Sequence, residues 1–232
     1  MDLSIAGGGV AQPPPAAGQP PASMRRHQRT GTAEGYRARA LADGIAPRPS
    51  GLFPPGDALL LELAASGARP FEKHLPGAAS PYEPLPAGGW ATGDAAAARG
   101  LDLRLFYAPP ASGELAGRLT GAARFGAGAS IGAGFYGGYS AHGGAVETVL
   151  DEATAELAKM EWQPFLSTVE AKFRIRRPVP LHASLRVECA LRERRGVRCW
   201  VEGTLSGPGG EVLATCEAQL VNMTHFLPPD DE

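Results

Sequence analysis

The run HGGAVETVLDEATAELAKM, residues 142–160, decides how this chain folds. Val146, Val149, Leu150, Ala153, Leu157 and Met160 recur at the i, i+3, i+4, i+7 spacing of one helix face. A helix is predicted over 145–160, closed by Trp162, Gln163 and Pro164. Six runs around it have strand character: 101–107, 114–125, 168–176, 185–192, 197–205 and 211–221. In the third, Val169, Ala171, Phe173 and Ile175 alternate with Glu170, Lys172, Arg174 and Arg176. Arg195-Gly196 and the SGPGG of 206–210 supply turns. The predicted order is β-β-α-β-β-β-β. Crossover helices do not recur between the strands, so the class is α+β. A single, mostly apolar helix must be wrapped by the sheet, because nothing else can cover it.

Outward from this core, composition bounds the rest. The chain has 232 residues, of which 44% are hydrophobic and 20% charged, and its net charge is −2. So near neutrality, charge alone argues against a nucleic-acid or membrane-surface protein. No apolar window approaches the ~20 residues of a spanning helix. Gly (31) and Pro (22) are abundant. They crowd the start of the chain, as in QPPPAAGQPP at 12–21. Residues 1–54 are therefore expected to be a disordered leader. Arg25, Arg26 and Arg29 lie in an acid-free stretch, which leaves two readings open: a plain tail, or an organelle transit peptide. No secretory signal is visible, and an intracellular location is expected, in the cytoplasm or in an organelle. Residues 55–100 read as an arm with a short helix at 57–65 capped by Asp57, with Phe71 and Trp90 as candidate anchors. Residues 101–223 form the main domain and 224–232 a tail. Cys189, Cys199 and Cys216 sit in alternating apolar runs without CxxC spacing, which points to buried thiols in a reducing compartment. The five histidines are scattered, and no metal ligand set is expected.

The chemistry gathers on the helix. Asp151 lies in the middle of a segment apolar on most of its circumference, so it needs a partner or a task. Glu147 shares its face. His142-Gly143-Gly144 opens the helix, where the first N–H groups lack intrahelical partners and sit at the positive dipole end. Glycine lets a carbonyl approach those amides closely, an arrangement that can hold an oxyanion. Gly143 and Asp151 are eight residues apart, ~12 Å along a helix. If both act on one carbonyl, they should come from two chains related by a two-fold axis.

HGGAVETVLDEA, followed by LSTVEAKFRIRRPVPL, resembles the hotdog-fold acyl-CoA thioesterases. It is most similar to the branch with the phenylacetate-catabolism thioesterase and the eukaryotic thioesterase superfamily members. The resemblance covers 101–223. Its specific elements are the acid nine residues after the histidine (His142 to Asp151) and a Thr ten residues before the Pro of RRPVPL (Thr168 to Pro178). It implies a long central helix wrapped by a curved antiparallel sheet of about six strands, working as a homodimer or a dimer of dimers. It also implies hydrolysis of a fatty or aryl acyl-CoA with no cofactor beyond the CoA of the substrate. Asp151 would be the catalytic carboxylate and Gly143 or Gly144 the oxyanion amide. His142 would shape the helix start, and Thr168 would act from the partner subunit. One departure is FYGGYSA at 135–141, where relatives often carry a Gly-Pro-rich run.

Two arginine clusters suit the phosphates of CoA. Of these, Arg176 and Arg177 are the candidate contacts, set against the plainer reading of a solvated strand face. A catalytically silent module that binds acyl-CoA or a protein is the alternative function. A hotdog dehydratase is disfavoured, since His142 at a Gly-Gly start is badly placed for that chemistry. The GxGxxG at 132–137 lies in no βαβ unit. Ser140 lacks a nucleophile elbow. His182, His225, Glu147 and Glu152 read as surface, satisfied or interface groups.

Overall fold

The computed structural model of the protein describes residues 22–41, 51–75, 80, 82–84, 90–112, 114, 116–132 and 140–227. Helices α1 (Ala22–Thr30), α2 (Ala33–Ala40) and α3 (Ala58–Ala65) come first, followed by short strands β1 (Arg69–Phe71), β2 (His74–Leu75) and β3 (Glu83–Pro84) and helix α4 (Gly93–Ala98). Then come β4 (Leu101–Ala108), β5 (Arg118–Phe125), the long helix α5 (Gly143–Glu161), β6 (Leu166–Ile175), β7 (Leu185–Arg195), β8 (Arg198–Ser206) and β9 (Val212–Asn222). Among the described residues, seven strands form one sheet in the order β1-β4-β5-β7-β8-β9-β6. Every neighbouring pair in it is antiparallel. Strands β2 and β3 form a separate ribbon. The sheet wraps α5, whose Val149, Leu150, Ala153, Leu157, Ala158 and Met160 are all completely buried. This is the α+β hotdog arrangement. No helix among the described residues is long and apolar enough to cross a membrane.

Helix and sheet meet closely at one glycine. Gly203 on β8 lies between Cys189 on β7 and Cys216 on β9. A Cβ at Gly203 would stand 3.0 Å from Thr154 Cγ2 and 3.3 Å from Leu150 Cδ2. The missing side chain thus sets how near α5 can lie to the sheet. The outer face of β4 and β5 is covered by α3, where Leu63 packs with Ala68, Phe106 and Ala122. Asp57 caps α3, accepting from the Leu59 and Leu60 N–H groups at 3.1 and 3.2 Å. Its second oxygen accepts from Ser184 Oγ at 2.5 Å and ties the helix to the sheet.

The arm departs from its expected description. The sheet gains a seventh strand because β1 pairs with β4, Phe71 lying opposite Leu105. Phe71 is buried, as its anchor role required, but Trp90 is 69% exposed, with Arg99 stacked on its ring. The expected disorder of 1–54 fails for residues 22–41, which form α1 and α2. The physical reason is tertiary: Tyr36 of α2 is buried in the main core and hydrogen-bonds a residue of α5. Thr32 also caps α2, accepting from Gly35 N–H at 3.0 Å. Arg25, Arg26 and Arg29, which carry the transit-peptide reading, lie on α1, while residues 1–21 before them and 228–232 of the tail lie outside those described.

Candidate functional site

Asp151 lies half-buried on α5, and Thr168 Oγ1 donates to its Oδ1 at 2.8 Å. This bond forms within one chain, whereas the resemblance implied that Thr168 would act from the partner subunit. A β-bulge makes it possible. The register of β6 against β9 shifts between Thr168 and Glu170, so Val169 is the extra residue. Side chains alternate faces along a strand, and one inserted residue resets that parity. Thr168 therefore points inward together with Ala171 and Phe173, while Val169, expected in the core, is 53% exposed.

The helix start is held firmly. His142 is the N-cap, and its Nδ1 accepts from Gly144 N–H at 3.0 Å, so the ring proton sits on Nε2. Its backbone N–H donates to Ala129 O at 2.7 Å. The Ala141 N–H donates to Val179 O at 2.9 Å. These bonds separate the two glycines. The Gly144 amide is engaged by His142, whereas the Gly143 N–H meets no acceptor among the described residues. Gly143 adjoins the far end of β6: a Cβ there would lie 3.3 Å from Ile175 Cδ1.

Strand β6 thus borders Asp151 through Thr168 and Gly143 through Ile175. It is also a ten-residue edge strand, with β9 as its neighbour on one side. Ile175 is 46% exposed. Just past it, the Arg176 and Arg177 N–H groups both donate to Leu213 O, at 2.7 and 3.3 Å. Their guanidiniums are exposed and meet no acid among the described residues. Beneath Asp151, burial, with added repulsion from Asp151, pushes the Cys216 thiol up to about 12, so it stays neutral.

Sequence reasoning missed a buried polar group one turn beyond Asp151. Glu156 has no exposed surface. Tyr36 Oη donates to its Oε2 at 2.5 Å and Lys159 Nζ to its Oε1 at 2.6 Å. Burial, with the Glu156 charge beside it, holds the Tyr36 hydroxyl well above its ordinary range, so it remains a donor. The available signal was a glutamate on a helix otherwise covered by apolar residues. A cavity of about 700 Å³ lies elsewhere, between α3, β1 and β4, lined by Phe53, Leu60, Phe71, Leu105 and Phe106 among others. The GxGxxG match runs into residues outside those described, as does most of the 135–141 run, with Ser140 and Ala141 described.

No family model and no curated protein matches the chain. Among solved structures, a thioesterase superfamily protein matches with a TM-score of 0.43 and 20% identity over 52% of this chain and 53% of its own. A phenylacetic acid degradation-related protein from Ralstonia eutropha JMP134 matches with a TM-score of 0.42 and 22% identity over 50% of this chain and 82% of its own. Zebra fish thioesterase superfamily member 2 matches with a TM-score of 0.41 and 12% identity over 50% and 78%. The chain spans about half the length of the first of these.

Proposed function

We propose that this protein is an acyl-CoA thioesterase that works as a homodimer, with Asp151 of one protomer and the Gly143 N–H of its partner acting on one thioester. The observation that carries this reading is the pairing of Thr168 with Asp151 on an open strand that also borders Gly143. Within one chain, Asp151 and Gly143 stand ~12 Å apart along α5, too far to share a carbonyl. A two-fold axis beside β6 would run the two helices antiparallel and bring each Asp151 near the other chain's Gly143. The exposed Val169 and Ile175 favour the same pairing, since a long unpaired strand with branched apolar residues is an aggregation hazard unless covered.

In this scheme Asp151 takes a proton from water as the water oxygen adds to the carbonyl carbon. The oxyanion accepts from the Gly143 N–H, and such a donor is worth about 3 kcal/mol in the transition state. Collapse breaks the C–S bond, the CoA sulfur takes up the proton, and free acid and CoA leave. In the other route through the same carboxylate, Asp151 itself adds to the carbonyl carbon, the C–S bond breaks to release CoA, and water then hydrolyses the acyl-aspartyl anhydride to free acid and Asp151. Arg176 and Arg177 offer exposed cations to the CoA phosphates. The reaction needs no cofactor beyond the CoA of the substrate, whose acyl group is fatty or aryl.

Thiol release from a panel of fatty and aryl acyl-CoA esters tests the reading. Substantial turnover on at least one ester is expected. Asp151→Asn should lower kcat by about 100-fold or more with little change in binding. Trace activity on every ester, or wild-type turnover in Asp151→Asn, contradicts it.

A further inference from the structure

The N-terminal arm sends one charged side chain to the helix that bears Asp151. Lys73 follows β1 and places its Nζ 2.5 Å from Glu152 Oε1 and 3.9 Å from Glu156 Oε1. Glu152 is the residue after Asp151, and Glu156 lies one turn further on. The contact is well covered, with Lys73 and Glu152 side chains 16% and 12% exposed. Burial works against the Lys73 charge, but the carboxylates of Glu156, Glu152 and Asp151 outweigh it and hold its pKa above the ordinary value. Asp151 therefore lies within the field of this ammonium.

The need for a cation follows from the helix itself. Glu147, Asp151, Glu152 and Glu156 crowd four carboxylates into less than three turns. Like charges at this spacing oppose one another's ionisation. The groups that bear on Asp151 are Glu147 and Glu152 from its own helix, the Thr168 hydroxyl from β6, the neutral Cys216 thiol from β9 and Lys73 from the arm. Lys159 is engaged by Glu156.

We propose that Lys73 is a positioning residue of the hydrolytic site: its ammonium offsets the acidic flank of α5 and so eases the ionisation of Asp151 beside Thr168. The arm is then part of the catalytic unit. The inference rests on Asp151 being the acting carboxylate, and two independent readouts keep the claims apart. The first is the titration midpoint of the Asp151 side-chain carboxyl, followed by carbon NMR without substrate. The second is the acidic limb of kcat/KM against pH on an accepted acyl-CoA.

In Lys73→Met both midpoints should rise together by about 0.5 to 1 on the pH scale. Lys73→Arg should restore both to within a few tenths of wild type. Lys73→Gln, which can still donate to Glu152, removes the same charge if Lys73→Met does not fold. Unchanged midpoints in a folded, active Lys73→Met or Lys73→Gln protein would overturn the proposal. A shifted Asp151 midpoint with an unmoved rate profile would overturn Asp151 as the acting group and so remove the premise.

Discussion

Thr168 fixes one oxygen of Asp151, and that is the chemistry a single residue contributes here. A hydrogen bond to a charged acceptor orients the carboxylate and is stronger than one between neutral groups. Thr168→Ala should therefore lower kcat by about 10-fold, less than the loss of Asp151 itself, with KM nearly unchanged. Thr168→Ser keeps the hydroxyl and should recover most of the rate. Steady-state kinetics on one acyl-CoA checks both, and a Thr168→Ala enzyme with wild-type kcat would show that the bond is idle. At this scale the sequence was informative but incomplete. The spacing of His142, Asp151 and Thr168 was readable. Which glycine amide stays free was not, because that depends on the His142 ring turning back onto Gly144 N–H. Lys73 was missed because its partners lie 79 and 83 positions away, at Glu152 and Glu156.

Periodicity was a sufficient guide to elements where one face is buried. The strands at 101–107 and 185–192 and the helix at 145–160 each extend by no more than three residues at either end in the structure. It failed where one residue is inserted, since the bulge at Val169 switches the inward side at that point, so that Thr168 and not Val169 shares a face with Ala171 and Phe173. It failed again for α1 and α2, whose Ala, Arg and Gly content gives no apolar stripe. The order of α2 comes from Tyr36 buried against α5. The packing of α5 on the sheet is testable at Gly203. Gly203→Ala puts a methyl against Thr154 Cγ2 and should cost roughly 1–3 kcal/mol by overpacking. Thr154→Ser removes the opposing methyl while keeping a hydroxyl to donate to Asp151 O, so the double variant should regain part of that loss. Urea unfolding of the two single variants and the double variant measures the coupling, and strictly additive effects would place the strain elsewhere.

For the whole molecule, the two ends of the sheet differ in character. The short β1 closes one edge and comes from the arm that also delivers Lys73 to α5. Among the described residues, the long β6 leaves the other edge open beside both halves of the proposed site. Composition could not distinguish a chain that finishes its own site from one that needs a second copy. The distance along α5 raises that question, and the open edge suggests its answer. Subunit mixing tests it most directly. Gly143 is the first helical residue, and His142 before it is extended at φ −63 and ψ 139. Gly143→Pro should thus delete the amide hydrogen with little disturbance of the helix. Dimers of Asp151→Asn and of Gly143→Pro should each be nearly inactive. Unfolded, mixed in equal amounts and refolded together, they should recover about a quarter of wild-type activity, because half the dimers are mixed and each of those carries one intact site. Mixed dimers that form but stay as inactive as their parents would contradict a site shared between two chains.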